Sequence, residues 1–183
     1  MATFAHLADW LAHLETVHKS EIDLGLTRVG QMKARLQAAS LLTLNYPIIT
    51  VGGTNGKGST CAYLEQILLA AGYKVGCHTS PHVIDFTERA RFNGVDAIEE
   101  QLLPLLHAVE RVRQQAPEIS LTYFEFTLLV FMCWFDAQQP DAVILEVGLG
   151  GRLDATNVFE SAAAVITSVD IDHVGFLGDT REA

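Results

Sequence analysis

Positive charge is scarce in this sequence. Twelve Lys and Arg stand against 22 Asp and Glu in 183 residues, a formal net charge of -10. Non-specific nucleic-acid binding needs a basic face, so a nucleic-acid partner is not expected. The same deficit sets a condition on any anionic substrate. The average field repels it, so its site must carry its own positive groups. Cysteine is scarce too. Cys61, Cys77 and Cys133 are odd in number and match no metal or redox spacing. They read as small buried core residues, and nothing points to an oxidising compartment. Long apolar runs are missing. The longest, Phe126 to Phe135, falls far short of the ~20 residues of a membrane span. The N-terminus carries Asp9 and Glu15 within its apolar pattern, which excludes a secretory signal. A cytoplasmic protein without a membrane partner is the expectation. There is no internal repeat and no low-complexity linker.

What is present is ordinary globular material, 49% hydrophobic and 19% charged. Phe4, Leu7, Leu11, Leu14 and Val17 recur at helical steps, and a second helix is predicted from Arg28 to Ala38. Asp23-Leu24-Gly25-Leu26 lies in the short loop between them. From Pro47 the pattern changes. Pro47 to Val51 reads as a buried strand, Ser59 to Ala71 as a helix with Leu64, Ile67, Leu68 and Ala71 on one face and Gly72 as its stop, and Lys74 to Thr79 as a second strand. Asn93-Gly94 marks a tight turn in a small hairpin. Glu99 to Gln115 and Thr122 to Gln138 read as helices, Ala142 to Leu145 as a third buried strand and Ala163 to Thr167 as a fourth. This alternation predicts an α/β fold, a mostly parallel sheet with flanking helices. A helical lead-in covers about residues 1–45, and the nucleotide-binding core covers about 46–183. The chain stops at Thr180 to Ala183, after a strand and a glycine-bearing loop. No closing element follows, so a truncation point is expected there.

Gly52 to Thr60 carries the strongest motif. Gly53, Thr54, Asn55, Gly56, Lys57, Gly58, Ser59 and Thr60 follow a predicted strand and open a predicted helix. That is the setting of a phosphate loop. Glycines let successive N–H groups point at one anion, and the helix N-terminus adds unpaired N–H groups. Lys57 supplies a full charge for the β- and γ-phosphates of ATP. Ser59 and Thr60 offer hydroxyls to a magnesium ion. The match departs from the general pattern twice. Val51 stands where a glycine is usual, and Gly58 separates Lys57 from Ser59.

The third strand runs directly into Glu146-Val147-Gly148-Leu149-Gly150-Gly151-Arg152-Leu153-Asp154-Ala155-Thr156-Asn157. In a parallel sheet the C-terminal strand ends share one edge, where ligands bind. Glu146 is therefore expected near the phosphate loop, as a ligand to Mg2+. The alternative is an ion pair with Arg152. The glycines do not form a dinucleotide fingerprint, because Leu153 stands where the last one is required. The second strand ends at His78-Thr79-Ser80-Pro81-His82 and the fourth at Asp170-Ile171-Asp172-His173. Each strand end thus delivers an oxygen or nitrogen donor to one place.

Gly53 to Ser59 resembles the phosphate loop of the Mur-ligase superfamily. Thr79 to His82, Leu121 to Glu125, Leu145 to Asn157 and Asp172-His173 resemble its folate branch, the dihydrofolate and folylpolyglutamate synthases. The resemblance covers nearly the whole chain. It implies an ATP-dependent amide-bond ligase. ATP converts a carboxylate of dihydropteroate or tetrahydrofolate to an acyl phosphate, which the amino group of L-glutamate attacks. It implies that Gly53 to Thr60 hold ATP and that Lys57, Glu146 and His173 serve the chemistry. Ser80, Glu146 and His173 would hold Mg2+, with Ser59 a further donor. Asp23, Leu24, Gly25, Leu26, Thr122, Tyr123, Phe124, Glu125, Leu153, Asp154 and Ala155 would hold the pterin. Tyr123 and Phe124 offer flat faces and Asp154 an acceptor for ring N–H groups. By their spacing alone, the two aromatics fit a helix core equally well. The resemblance further implies a monomer, a modified lysine beyond Ala183 and a C-terminal domain that this sequence does not contain. The 183-residue chain alone is expected to be inactive.

One alternative is an enzyme that only extends polyglutamate, against which Asp23-Leu24-Gly25-Leu26 favours the bifunctional type. Two further rivals follow from the same residues. Peptidoglycan-precursor ligases share the phosphate loop but not generally Thr122 to Glu125 together with Gly151 to Ala155. A nucleotide-binding regulatory module would need a base-reading Asn-Lys-x-Asp segment, which is missing.

Overall fold

The computed structural model describes residues 4–19 and 22–180. The chain opens with helices α1 (Leu7–Val17) and α2 (Thr27–Ala38). Strand β1 (Ile48–Gly52) leads into α3 (Lys57–Ala70), and β2 (Val75–His78) into the hairpin β3 (Ala90–Phe92) and β4 (Val95–Asp96). Helices α4 (Glu99–Arg113) and α5 (Tyr123–Gln138), strands β5 (Ala142–Glu146) and β6 (Ala163–Ile166) and the one-turn α6 (Val174–Leu177) follow. The sheet has six strands in the order β4-β3-β2-β5-β1-β6. The strands β2, β5, β1 and β6 run parallel, and only the hairpin is antiparallel. Asn93 and Gly94 both have positive φ, 53° and 76°, as the expected tight turn requires.

The two faces of the sheet are covered unequally. Helices α1, α2, α4 and α5 build the main core on one face, around Trp10, Met32, Leu102, Phe126, Phe131 and Phe135. Helix α5 is buried continuously from Glu125 to Phe135, which explains why its sequence is apolar all round. Truncating one of its phenylalanines to alanine would cost ~3–5 kcal/mol. A capping box starts it. Thr122 Oγ1 accepts from Glu125 N at 3.2 Å, and Glu125 Oε2 accepts from Thr122 N at 2.9 Å. On the other face α3 packs its Cys61 against Val51, Val75, Cys77 and Ile144 of the sheet, a smaller cluster. All three cysteines are buried and free, as expected.

The face of α3 that meets the sheet is formed by Cys61, Leu64, Glu65, Leu68 and Leu69, and Ile67 is 63% exposed. Three expectations need correction. The helix starts at Lys57, because the left-handed Gly56 (φ 85°) turns the chain into it two residues earlier than expected. Strand β6 is not buried. It forms the sheet edge, and Ile166 is 65% exposed. Residues 173–180, expected as loop, contain α6. The expected stop at 181–183 lies outside the described residues. Among the described residues no helix is long and apolar enough to cross a membrane.

Candidate functional site

The C-terminal ends of β1, β2, β5 and β6 share one edge, and the candidate residues gather there. After β1 the chain must turn tightly around the segment that follows β6. Gly53 has φ 132°, and a Cβ there would lie 2.1 Å from Thr167 Oγ1. Only glycine fits. Thr54 then stitches the loop down. Its N–H donates to Ser168 O at 2.6 Å, and its hydroxyl both donates to Asp170 O (3.0 Å) and accepts from Asp170 N (2.9 Å). Lys57 folds back over the loop, with Nζ donating to Gly53 O at 2.9 Å and Thr54 O at 3.3 Å. The ammonium is thereby held above the loop. The two hydroxyls differ. Thr60 Oγ1 donates to Gly56 O at 2.8 Å, whereas Ser59 is exposed.

Glu146 closes β5 opposite Val51 of β1. It is 5% exposed, and its Oε2 accepts from Ser80 N at 3.0 Å. Both carboxylate oxygens lie 3.8 Å from the point where Gly58 would carry a Cβ, so the group faces the first turn of α3. Burial raises its pKa, and the Ser80 N–H, Lys57 and Arg91 counteract the rise. Ser80 and Glu146 are therefore brought together, as the strand-end argument expects. Arg152 is exposed and forms no ion pair with Glu146, so the alternative fails. His173 starts α6 with φ 47° and is half-exposed, 3.7 Å from the Asp172 carboxylate. Among the described residues, three or more His, Cys, Asp or Glu nowhere gather into a metal-binding group. The expected set contains only two such residues and a serine.

Among the described residues, two adjoining cavities open at this edge. One, of about 390 Å³, lies beside the phosphate loop and includes Gly53, Thr54, Lys57, Asp172 and His173. The other, of about 300 Å³, is lined by Asp23, Leu24, Thr122, Phe124, Glu125, Leu153, Asp154 and Ala155. Three segments distant in sequence thus converge, as expected. Gly148, Leu149 and His173 line both cavities, so the two spaces adjoin. Gly148 is where a side chain would intrude, because a Cβ there would lie 3.0 Å from the Phe124 ring.

Several members of the expected pterin set stand elsewhere or are already engaged. Gly25 and Leu26 do not line the second cavity, and Leu26 instead precedes α2 as its cap. Tyr123 does not line it either. Its ring meets Phe86 edge-on at 6.2 Å, so of the two aromatics only Phe124 offers a face to the cavity. Asp154 is 3% exposed, and both its oxygens accept from the chain. Oδ1 takes Thr156 N (2.9 Å) and Thr156 Oγ1 (2.7 Å), and Oδ2 takes Leu149 N (2.9 Å). Glu125 is held by its cap and by Arg28 Nε at 2.9 Å. Arg28 Nη1 also donates to Asp23 Oδ2 at 2.6 Å, so one guanidinium locks two of the three segments together. Sequence reasoning missed Arg28 and also Arg89, which lines the second cavity. Neither sits in a motif, and only the fold brings them in.

With this geometry in place, relatives can be compared. The sequence matches the family described as the Mur ligase middle domain over residues 51–183. The chain belongs to the Mur ligase family. Its similarity to particular Mur ligases is high. It is 48% identical over 177 residues to dihydrofolate synthase/folylpolyglutamate synthase of Escherichia coli (strain K12), covering 97% of this chain and 40% of that protein. It superposes on E. coli FolC in complex with DHPP and ADP with a TM-score of 0.92 at 47% identity, over 100% of this chain and 43% of that one. It also superposes on a bifunctional folylpolyglutamate synthase/dihydrofolate synthase with Mn, AMPPNP and L-glutamate bound. There the TM-score is 0.86 at 48% identity, over 97% of this chain and 41% of that one. This Mur ligase chain therefore spans about two fifths of the length of those relatives.

Proposed function

We propose that the whole protein is an ATP-dependent amide-bond ligase that joins L-glutamate to dihydropteroate and to the γ-carboxylate of tetrahydrofolate. The reading rests above all on the two adjoining cavities. One lies on a phosphate loop, the other is built from the three folate-type segments, and they meet at Gly148, Leu149 and His173. The similarity to ligases bound to ADP with DHPP, and to AMPPNP with L-glutamate, points the same way.

Each group has a physical task in this reading. The N-terminus of α3 and the glycine loop receive the β- and γ-phosphates of ATP, with Lys57 exchanging its two carbonyl partners for phosphate oxygens. Glu146, Ser80 and His173, with Ser59 beside them, would hold Mg2+. The buried carboxylate fits a cation, because burial has raised its pKa and the Ser80 N–H, Lys57 and Arg91 only partly offset that cost. The ion would supply charge neutralisation for the transferred phosphoryl group. Leu24, Phe124, Leu153 and Ala155 would enclose the pterin and exclude water. A carboxylate oxygen of the acid attacks the γ-phosphorus and ADP leaves. The glutamate amine then attacks the acyl carbon and phosphate leaves. Placing the acid next to ATP removes much of the entropic barrier. The protein acts as a monomer in the cytoplasm in this reading.

The test is ADP release by the full-length protein with ATP, Mg2+ and glutamate. Release that depends on 7,8-dihydropteroate supports the synthase, and added release with tetrahydrofolate supports the second activity. Release with tetrahydrofolate alone removes the dihydropteroate assignment. Silence with both, from a folded protein that binds ATP, sinks the proposal.

A further inference from the structure

The second cavity is poor in positive charge for a site that must take an anion. Among its lining residues the carboxylates are Asp23, Glu125 and Asp154, and the single Lys or Arg is Arg89. Two of those carboxylates are already paired with Arg28, and the third sits among N–H and O–H donors of its own loop. Arg28 has thus spent its charge within the protein. Arg89 has not. Its Nε donates to His82 Nδ1 at 2.8 Å, which fixes the guanidinium plane. Neither terminal nitrogen has a hydrogen-bond partner among the described residues.

The position of Arg89 is set by backbone and by rings. Its carbonyl accepts from Thr79 N at 3.2 Å and lies 2.7 Å from His78 Nδ1, which ties it to the end of β2 where Ser80 begins. Its guanidinium carbon stands 5.9 Å from the Phe86 ring centre and 5.7 Å from that of Tyr123. These faces hold the side chain flat without neutralising it. Partial burial costs the cation solvation and lowers its pKa, a cost that an arriving carboxylate would offset. A planar fork of N–H donors matches a carboxylate better than an ammonium does.

We propose that Arg89 receives a carboxylate of the acid substrate and sets the preference of this cavity for carboxylate-bearing pterins. The inference rests on the ligase reading above and names a specificity-determining residue within it. It also gives Tyr123 its use, as a wall behind Arg89 rather than a platform for the pterin.

The test is equilibrium binding to the full-length protein of two ligands, pteroate and the same molecule with hydrogen in place of the carboxyl group. The wild type is expected to prefer pteroate by roughly 10- to 100-fold, the scale of a charge-assisted hydrogen-bonded pair. Arg89→Gln should abolish that preference by weakening pteroate alone, and Arg89→Lys should restore part of it. Equal weakening of both ligands by Arg89→Gln would make Arg89 a structural prop and overturn the proposal. So would an Arg89→Gln variant that keeps the preference. If Arg89→Gln fails to fold, an undiminished preference in Arg89→Lys overturns it and a reduced one supports it. A wild type that binds both ligands equally refutes the role of Arg89 while leaving the pterin site intact. A wild type that binds neither refutes the ligase reading as well.

Discussion

Glu146 and Asp154 stand at two ends of the loop that leaves β5. Both are buried, and burial raises the pKa of both. Their surroundings differ. Asp154 accepts the N–H groups of Leu149 and Thr156 and the Thr156 hydroxyl, and it caps the short 3₁₀ turn Ala155–Val158. Its charge is consumed in shaping the loop. Glu146 accepts one N–H, from Ser80, and its oxygens lie against the first turn of α3 beside the phosphate loop. Lys57 and Arg91 act on its charge from a distance, and among the described residues its one hydrogen bond comes from the Ser80 N–H. The number of internal partners separates the two, which fits a structural task for Asp154 and the proposed cation-binding task for Glu146.

The largest effect should separate the two by activity. Glu146→Gln in the full-length protein should lower ATP turnover by ~100- to 1,000-fold, the scale of removing one preorganised electrostatic group. Its urea midpoint should not fall, because the substitution relieves a desolvated charge. A stability loss without an activity loss would reverse the assignment. Asp154→Ala should do the opposite to stability. It leaves buried N–H groups unpaired and should cost ~2–3 kcal/mol, read by denaturant unfolding. A neutral result would mean the loop does not depend on that carboxylate.

A third effect sharpens the contrast between the buried carboxylates and a buried base. Burial lowers the pKa of His78 to about 4 from 6.5. Its Nδ1 contacts Arg89 O at 2.7 Å, its Nε2 has no hydrogen-bond partner among the described residues, and burial keeps the ring neutral. The folded pKa is depressed. The unfolded chain therefore binds the proton first as pH falls below about 6.5, and stability is lost toward pH 4. The slope from this group approaches ~1.4 kcal/mol per pH unit at its steepest. His78→Leu should flatten the urea-midpoint profile in that window, and an unchanged slope would place the titration elsewhere. The smallest effect is expected at Arg152, which is exposed and unpaired with Glu146. Arg152→Ala should leave stability within ~0.5 kcal/mol. A larger loss would revive the ion pair that the geometry removes.

The parts of the fold that follow from local chemistry were readable in the sequence. Gly53 to Lys57 announced a tight loop before a helix, Thr122 to Gln138 a helix, and Asn93-Gly94 a hairpin. The strand-end rule for parallel sheets was enough to bring Glu146 to Ser80. The missing parts depend on what covers what. Periodicity places Ile67 on a face of α3 but does not say which face meets the sheet, and β6 reads as buried although it is an edge. Arg28 reaches Glu125 across 97 positions, a pairing that no spacing records. Asp154 looks like a free acceptor until its loop folds around it. Tyr123 and Phe124 are neighbours in sequence, but the rotation of ~100° per helical residue sends their rings to different walls.

The central claim, that the phosphate-loop edge activates a pterin carboxylate, is tested most directly by following an oxygen atom. Dihydropteroate labelled with ¹⁸O in its carboxyl group would be turned over by the full-length protein with ATP, Mg2+ and glutamate. Acyl-phosphate formation predicts ADP together with inorganic phosphate that carries one substrate oxygen. Unlabelled phosphate would show that ATP is cleaved without passing its phosphoryl group to the carboxylate, and would contradict the account.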